Sequence, residues 1–108
     1  MRLSVKTSLM TKNFLAARAE MLEKEKINNE KMKDYFNDTF LTFHKAIANI
    51  LDGEYDSAIK CLQIFRDDLN VIANLYDKSI PIPKEFNYVR DDVLRLKSEI
   101  LNVASKGS

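Results

Sequence analysis

Ala58, Leu62, Phe65, Leu69, Ile72 and Tyr76 follow one another at alternating intervals of four and three. That rhythm gathers all six on one side of an α-helix, whereas a strand would scatter them over both faces. Three more stretches repeat it. Phe86, Val89, Val93, Leu96, Ile100 and Val103 alternate three and four; Met32, Phe36, Phe40, Phe43, Ile47 and Ile50 keep to threes and fours; Met10, Phe14, Ala17 and Met21 run four, three, four. No stretch of comparable length alternates with period two. Each series makes one apolar stripe that has to be buried against another. The chain is therefore expected to be all-α, an antiparallel bundle of three or four helices in a single domain over residues 1–108.

The breaks between the series carry their own chemistry. Asp52-Gly53-Glu54 separates the second from the third, and no other glycine occurs before residue 107. Glycine closes a helix in the left-handed conformation at little cost. Pro81-Ile82-Pro83 ends the third, because a residue that precedes proline is pushed out of helical geometry. Pro83 can then open the fourth helix, where its missing N–H is not needed. No such mark lies between the first and second series. Residues 23–31 read Glu-Lys-Glu-Lys-Ile-Asn-Asn-Glu-Lys, with one apolar residue among them. The first stripe, extended by heptads, does not meet the second in phase. Either a short break falls near Asn28-Asn29, or one long first helix runs from residue 7 to residue 51 and projects beyond a three-helix body. Glu20 and Lys24, four apart, suit a helix in both cases.

Composition narrows the function. Hydrophobic residues make up 45% and charged residues 31% of the 108, which is too apolar for a disordered chain. A domain this small has a thin core, so a dimer partner or a partner helix would supplement it. Seventeen Lys and Arg against sixteen Asp and Glu leave a net charge of +1. No overall field draws such a chain onto nucleic acid. The apolar runs, such as Ala46-Ile47-Ala48, are too short to cross a membrane. The lone Cys61 excludes a disulfide framework and suits a reducing, cytoplasmic setting.

Charge is uneven at the N-terminus. Residues 1–19 hold Arg2, Lys6, Lys12 and Arg18 and no acid, with hydroxyls at Ser4, Thr7, Ser8 and Thr11 between apolar residues. A basic, hydroxylated, amphipathic segment has the composition of a mitochondrial targeting sequence. It equally suits a first helix whose positive face is solvated or meets acidic neighbours.

The residues with chemical potential do not assemble into a reactive set. His44 is the only histidine, so a di-iron bundle with paired Glu-x-x-His motifs is excluded and no metal or cofactor is expected. Some histidine phosphotransfer domains are helical bundles with one exposed histidine, followed at three by lysine and at four by glycine. Here those places hold Ile47 and Ala48, and the cation that would steady a phosphate is missing. Cys61 flanks the stripe residue Leu62 and reads as a small buried thiol. Asp67-Asp68 and Asp91-Asp92 are sequential, and neighbours on a helix diverge rather than converge on a substrate. No glycine-rich loop is present to hold a phosphate. No catalytic residue is expected.

Gly53-Glu54-Tyr55-Asp56-Ser57-Ala58-Ile59 resembles the Gly-x-Tyr-x-x-Ala-Ile step between two helices of a tetratricopeptide repeat. It is equally similar to the matching step of the microtubule-interacting-and-transport domain, a three-helix relative. No second copy follows at the repeat period. A further helix after a linker, over residues 87–101, fits the latter layout better, and the resemblance covers residues 40–102. It implies a helical module that binds partner helices in a groove. The N-terminal helix is extra to that layout and is placed to fill the groove.

The expected role is protein–protein interaction: an adaptor, chaperone or assembly subunit that accepts an amphipathic helix or forms a homodimer through its N-terminal helix. The partner-binding stripe expected there is Met10, Phe14, Ala17 and Met21, methionine being adaptable to varied partners. The same four residues also read as plain core. A small regulator or inhibitor of one enzyme, or phosphotransfer through His44, are the alternatives.

Overall fold

A computed structural model describes residues 2–25 and 29–107. Four helices account for most of them: α1 (Arg2–Lys24), α2 (Asn29–Leu51), α3 (Tyr55–Leu75) and α4 (Lys84–Gly107). Among the described residues there is no strand. Apart from Phe40, Ile47 and Val103, the last of them 37% exposed near the end of α4, the stripes read from the sequence are the buried faces, with Met10, Phe14, Met21, Phe36, Phe43, Leu62, Phe65, Leu69, Ile72, Val93, Leu96 and Ile100 all without exposed surface. Each large apolar side chain buried this way contributes about 2 kcal/mol.

Side-chain ties give the direction of every pair. Lys97 donates to Gln63 and Arg90 to Asn70, so seven residues back along α4 is seven forward along α3. Lys6 pairs with Glu99 at 3.3 Å, setting the start of α1 beside the end of α4. Arg18 of α1 donates to Asn37 of α2, and Asn49 of α2 donates to the Cys61 sulfur of α3. All neighbours are thus antiparallel, and the four helices close a ring around one core.

The helices are not equally close. α2 and α3 approach most extensively; each contributes a fully buried alanine to the core, Ala46 and Ala58, where a larger side chain would demand more room. α1 and α2 approach at the fewest positions of any neighbouring pair. Aromatic rings hold them apart: Phe14 stacks on Phe40 at 5.5 Å and meets Phe36 edge-on at 5.7 Å. Phe65, stacked on Phe43 at 4.8 Å, carries the cluster on to α3.

Turn chemistry follows the sequence signals. Gly53 takes φ +74, its N–H reaches the Ile50 carbonyl, and the Glu54 N–H reaches that of Asn49. These two bonds close α2 as a Schellman motif, which needs the left-handed residue that glycine supplies. Pro83 lies immediately ahead of α4, and its carbonyl accepts the Phe86 N–H. The Glu20–Lys24 pair forms at 3.4 Å.

Two expectations are corrected. A single long, projecting first helix does not occur: α1 closes at Lys24, and α2 opens at Asn29 and runs back along it. The phase mismatch between the two stripes has this reversal as its cause, since both must face one core. Asn28 lies outside the described residues, whereas Asn29 begins α2. Within the second series Phe40 and Ile47 are only partly buried, and Ala46 and Thr39 take the fully enclosed places. Thr39 is accommodated there because its hydroxyl donates to the Tyr35 carbonyl at 2.7 Å.

Candidate docking face

α2 carries a second stripe, interleaved with the buried one. Asn37, Leu41, His44, Ala48 and Leu51 follow at four, three, four and three, and all five are exposed. Leu51 at 78% and Leu41 at 67% are the two most exposed large apolar side chains among the described residues. Exposed leucine is ordinary when scattered; here Leu41, Ala48 and Leu51 share one line of the helix surface, with the imidazole of His44 between Leu41 and Ala48.

The fold sets this ridge beside α1. Arg18 bonds to Asn37, the first member of the row, at 3.3 Å. Thr11, Leu15 and Arg18 lie at intervals of four and three on the same side of α1, so Leu15, at 44% exposure, borders the ridge. Between the two helices lies Phe40, partly buried, stacked on Phe14 and touched edge-on by the His44 ring at 4.3 Å. The result is an apolar seam along the loosest helix pair of the bundle. An added helix is the natural complement of such a seam.

The stripe expected to bind a partner is not on this surface. Met10, Phe14 and Met21 have no exposed area and Ala17 has 1%. All four face inward, because α1 needs its only continuous apolar stripe to join the core. In this fold they present nothing to a partner, and the plain-core alternative describes them. The sequence singles out His44 only as the lone histidine and gives Leu41, Ala48 and Leu51 no place in a surface row. Their spacing is legible in the chain, but two interleaved stripes on one helix do not announce which is buried.

The remaining chemically capable residues stay apart. His44 lies on the α1 side of α2 with Phe40, while Cys61 meets α2 on its α3 side through Asn49, at 3.6 Å. Imidazole and thiol therefore do not face each other. Burial, reinforced by the carboxylates of Asp67 and Asp38, pushes the Asp68 carboxyl above its ordinary range. Asp92 is held instead by Arg95 at 3.0 Å. Among the described residues no group of three or more His, Cys, Asp or Glu could hold a metal, and no helix is long and apolar enough to cross a membrane.

A concavity of about 340 Å³ lies at the α3–α4 connection, between Ala73, Tyr76, Ile80, Ile82 and Asn87. The backbone N–H and hydroxyl of Ser79 both donate to the Asp77 carboxylate, which they hold below its usual range. These bonds brace the connection; they gather no groups toward a ligand.

Comparison with known proteins gives no relative on which to rest a role: no family model, curated protein or solved structure matches the chain.

Proposed function

We propose that this protein is a protein–protein interaction module that docks one amphipathic helix along the α1–α2 seam. The observation that carries this reading is the exposed row Leu41, His44, Ala48 and Leu51 beside Leu15, on the pair of helices that approach each other least. A visiting helix would bury both leucines, each worth about 2 kcal/mol, and rest on the Phe40–His44 contact at the centre. The role is that of an adaptor, chaperone or assembly subunit, since docking is all this face requires of the chain. Accepting a partner segment here leaves the core stripes of all four helices undisturbed.

The test is a display selection of helical peptides against the intact protein. Selected peptides are expected to be amphipathic and to lose about tenfold or more in affinity on Leu41→Asp or Leu51→Asp. Leu94→Asp, which alters an apolar residue 45% exposed on α4, should leave binding unchanged. Peptides that are indifferent to the two α2 substitutions, or a selection that yields none, would remove this reading.

A further inference from the structure

The row on α2 has a charged edge. Lys31, Asp38, Lys45 and Asp52 recur at intervals of seven, alternate in sign, and are all exposed. Seven residues make nearly two turns, so the four share one line of the helix surface. The last three stand one residue, about 100°, beyond Asn37, His44 and Leu51. The edge therefore borders the row on the side away from α1, which Asn37 and His44 approach. Asp52 lies just past α2, yet its N–H still reaches the Ala48 carbonyl at 3.0 Å, which keeps it on the helical path. Among the described residues none of the four enters an ion pair.

Such an edge is complementary to its own reverse. In an antiparallel two-fold pair the same edge of both helices meets, and each contact occurs twice. Set Leu41 of one α2 against His44 of another, and Asp38 falls beside Lys45 while Lys31 falls beside Asp52. Residues 34–51 then overlap, about 27 Å of helix. Asp34 sits at the outer end of that overlap, clear of the central Leu41, His44 and Ala48. Sliding the pair until Leu41 faces Leu51 sets Lys45 against Lys45 and Asp38 against Asp52, which like charge disfavours. A parallel pair puts the two charged edges on opposite sides, where they do not meet. No other helix of this chain carries four alternating charges at this spacing.

We infer that the helix docked on this face is α2 of a second copy, antiparallel and in the register that pairs Asp38 with Lys45 and Lys31 with Asp52. This rests on the docking reading above and names its occupant. The chain is then an assembly subunit whose homodimer forms through α2, and not through the stripe of α1 that the core has consumed. Burial of Leu41 and Ala48 from both copies supplies the attraction. The charge pairs are exposed and individually weak, and their part is to fix orientation and register. Each bundle lies behind its own α2, so the two bodies stand on opposite sides of the contact.

The experiment follows the mass of the intact 12.5 kDa chain by sedimentation equilibrium, from about 10 µM to about 1 mM. Mass is expected to rise with concentration toward that of two chains, and Leu41→Asp should abolish the rise. Asp38→Lys and Lys45→Asp, each of which turns two symmetric attractions into repulsions, should separately weaken the dimer about tenfold. Mixed in equal amounts, these two variants should recover the parent's association as a heterodimer, since each then offers what the other lacks. Salt near 1 M should narrow the differences. Circular dichroism checks that every variant keeps its helices. A chain that stays monomeric throughout overturns the inference. Display-selected peptides that still lose affinity on Leu41→Asp would then leave the docking reading standing; peptides indifferent to it would remove that reading too. A dimer that ignores all three substitutions forms elsewhere on the molecule and overturns the inference. A dimer that Leu41→Asp splits, but whose charge variants are not rescued by mixing, overturns the register.

Discussion

The Glu25 carboxylate accepts the backbone N–H of Asp77 at 3.0 Å, joining the residue that follows α1 to the one that opens the α3–α4 connection. Fifty-two positions separate them in the chain. Glu25 is 5% exposed, an unusual place for a carboxylate, and the hydrogen bond answers part of its desolvation.

Replacing Glu25 by alanine leaves the N–H of Asp77, an exposed residue, without its carboxylate acceptor. The expected loss is about 1 kcal/mol. Glu25→Gln keeps an acceptor oxygen and should lose less than half as much. Urea denaturation of the two variants separates the hydrogen bond from the charge; equal losses would show that charge, not the bond, matters.

Tyr76 lies beside this joint. Its side chain is 2% exposed, and its hydroxyl is buried without a hydrogen-bond partner. Burial, followed by the carboxylates of Glu20, Glu25 and Asp77, holds the phenol proton on above its usual range. Tyr76→Phe removes the orphaned hydroxyl and keeps the ring, so stability should rise by about 1 kcal/mol. In the parent protein the folded phenol titrates above the unfolded one. Its contribution is therefore intact below pH 10 and declines as pH climbs through the folded value. Tyr76→Phe should flatten the alkaline limb of a thermal stability profile.

Asp68 follows the same sign at the acid end. Its carboxyl is raised by burial, then by Asp67 and Asp38, so the folded state favours the protonated form. The stabilising contribution is complete below the unfolded value and is lost as pH rises through the folded one. At neutral pH Asp68→Asn should add a few tenths of a kcal/mol, about 0.3, in line with relief of a like-charge neighbour. The gain should vanish near pH 3, and a gain that persists there would point to a cause other than charge.

Phe14 and Leu41 test the division between core and docking face. Phe14 has no exposed surface and touches Phe36, Phe40 and Phe65. Phe14→Ala should cost about 4 kcal/mol, and Phe14→Glu, which buries a carboxylate in that cluster, should unfold the bundle. Leu41→Ser, at a site 67% exposed, should stay within about 0.5 kcal/mol of the parent. Differential scanning calorimetry of both variants is the direct comparison. A Leu41→Ser loss as large as that of Phe14→Ala would place Leu41 in the fold and out of the proposed face.

Much of the architecture is legible in the chain because helical periodicity is local. Each stripe is written within about three to five consecutive turns. Gly53 and Pro83 mark their turns through backbone geometry that depends on a few neighbours only. The stripe of Met10, Phe14, Ala17 and Met21 is equally clear as a stripe. Its destination is not, since an apolar face looks the same whether it meets its own bundle or a partner.

The sequence by itself determined that this protein is helical, where two of its turns fall and which faces are apolar, all being properties of a few consecutive residues. Only the tertiary structure decided that α1 folds back instead of projecting, and that its stripe closes the core. It also decided that the row from Leu41 to Leu51 is left outside. Those outcomes depend on which helices become neighbours and how closely. The buried Ala46 and Ala58 of α2 and α3, and the bulky Phe14 and Phe40 between α1 and α2, come together from stretches of chain that no local pattern connects.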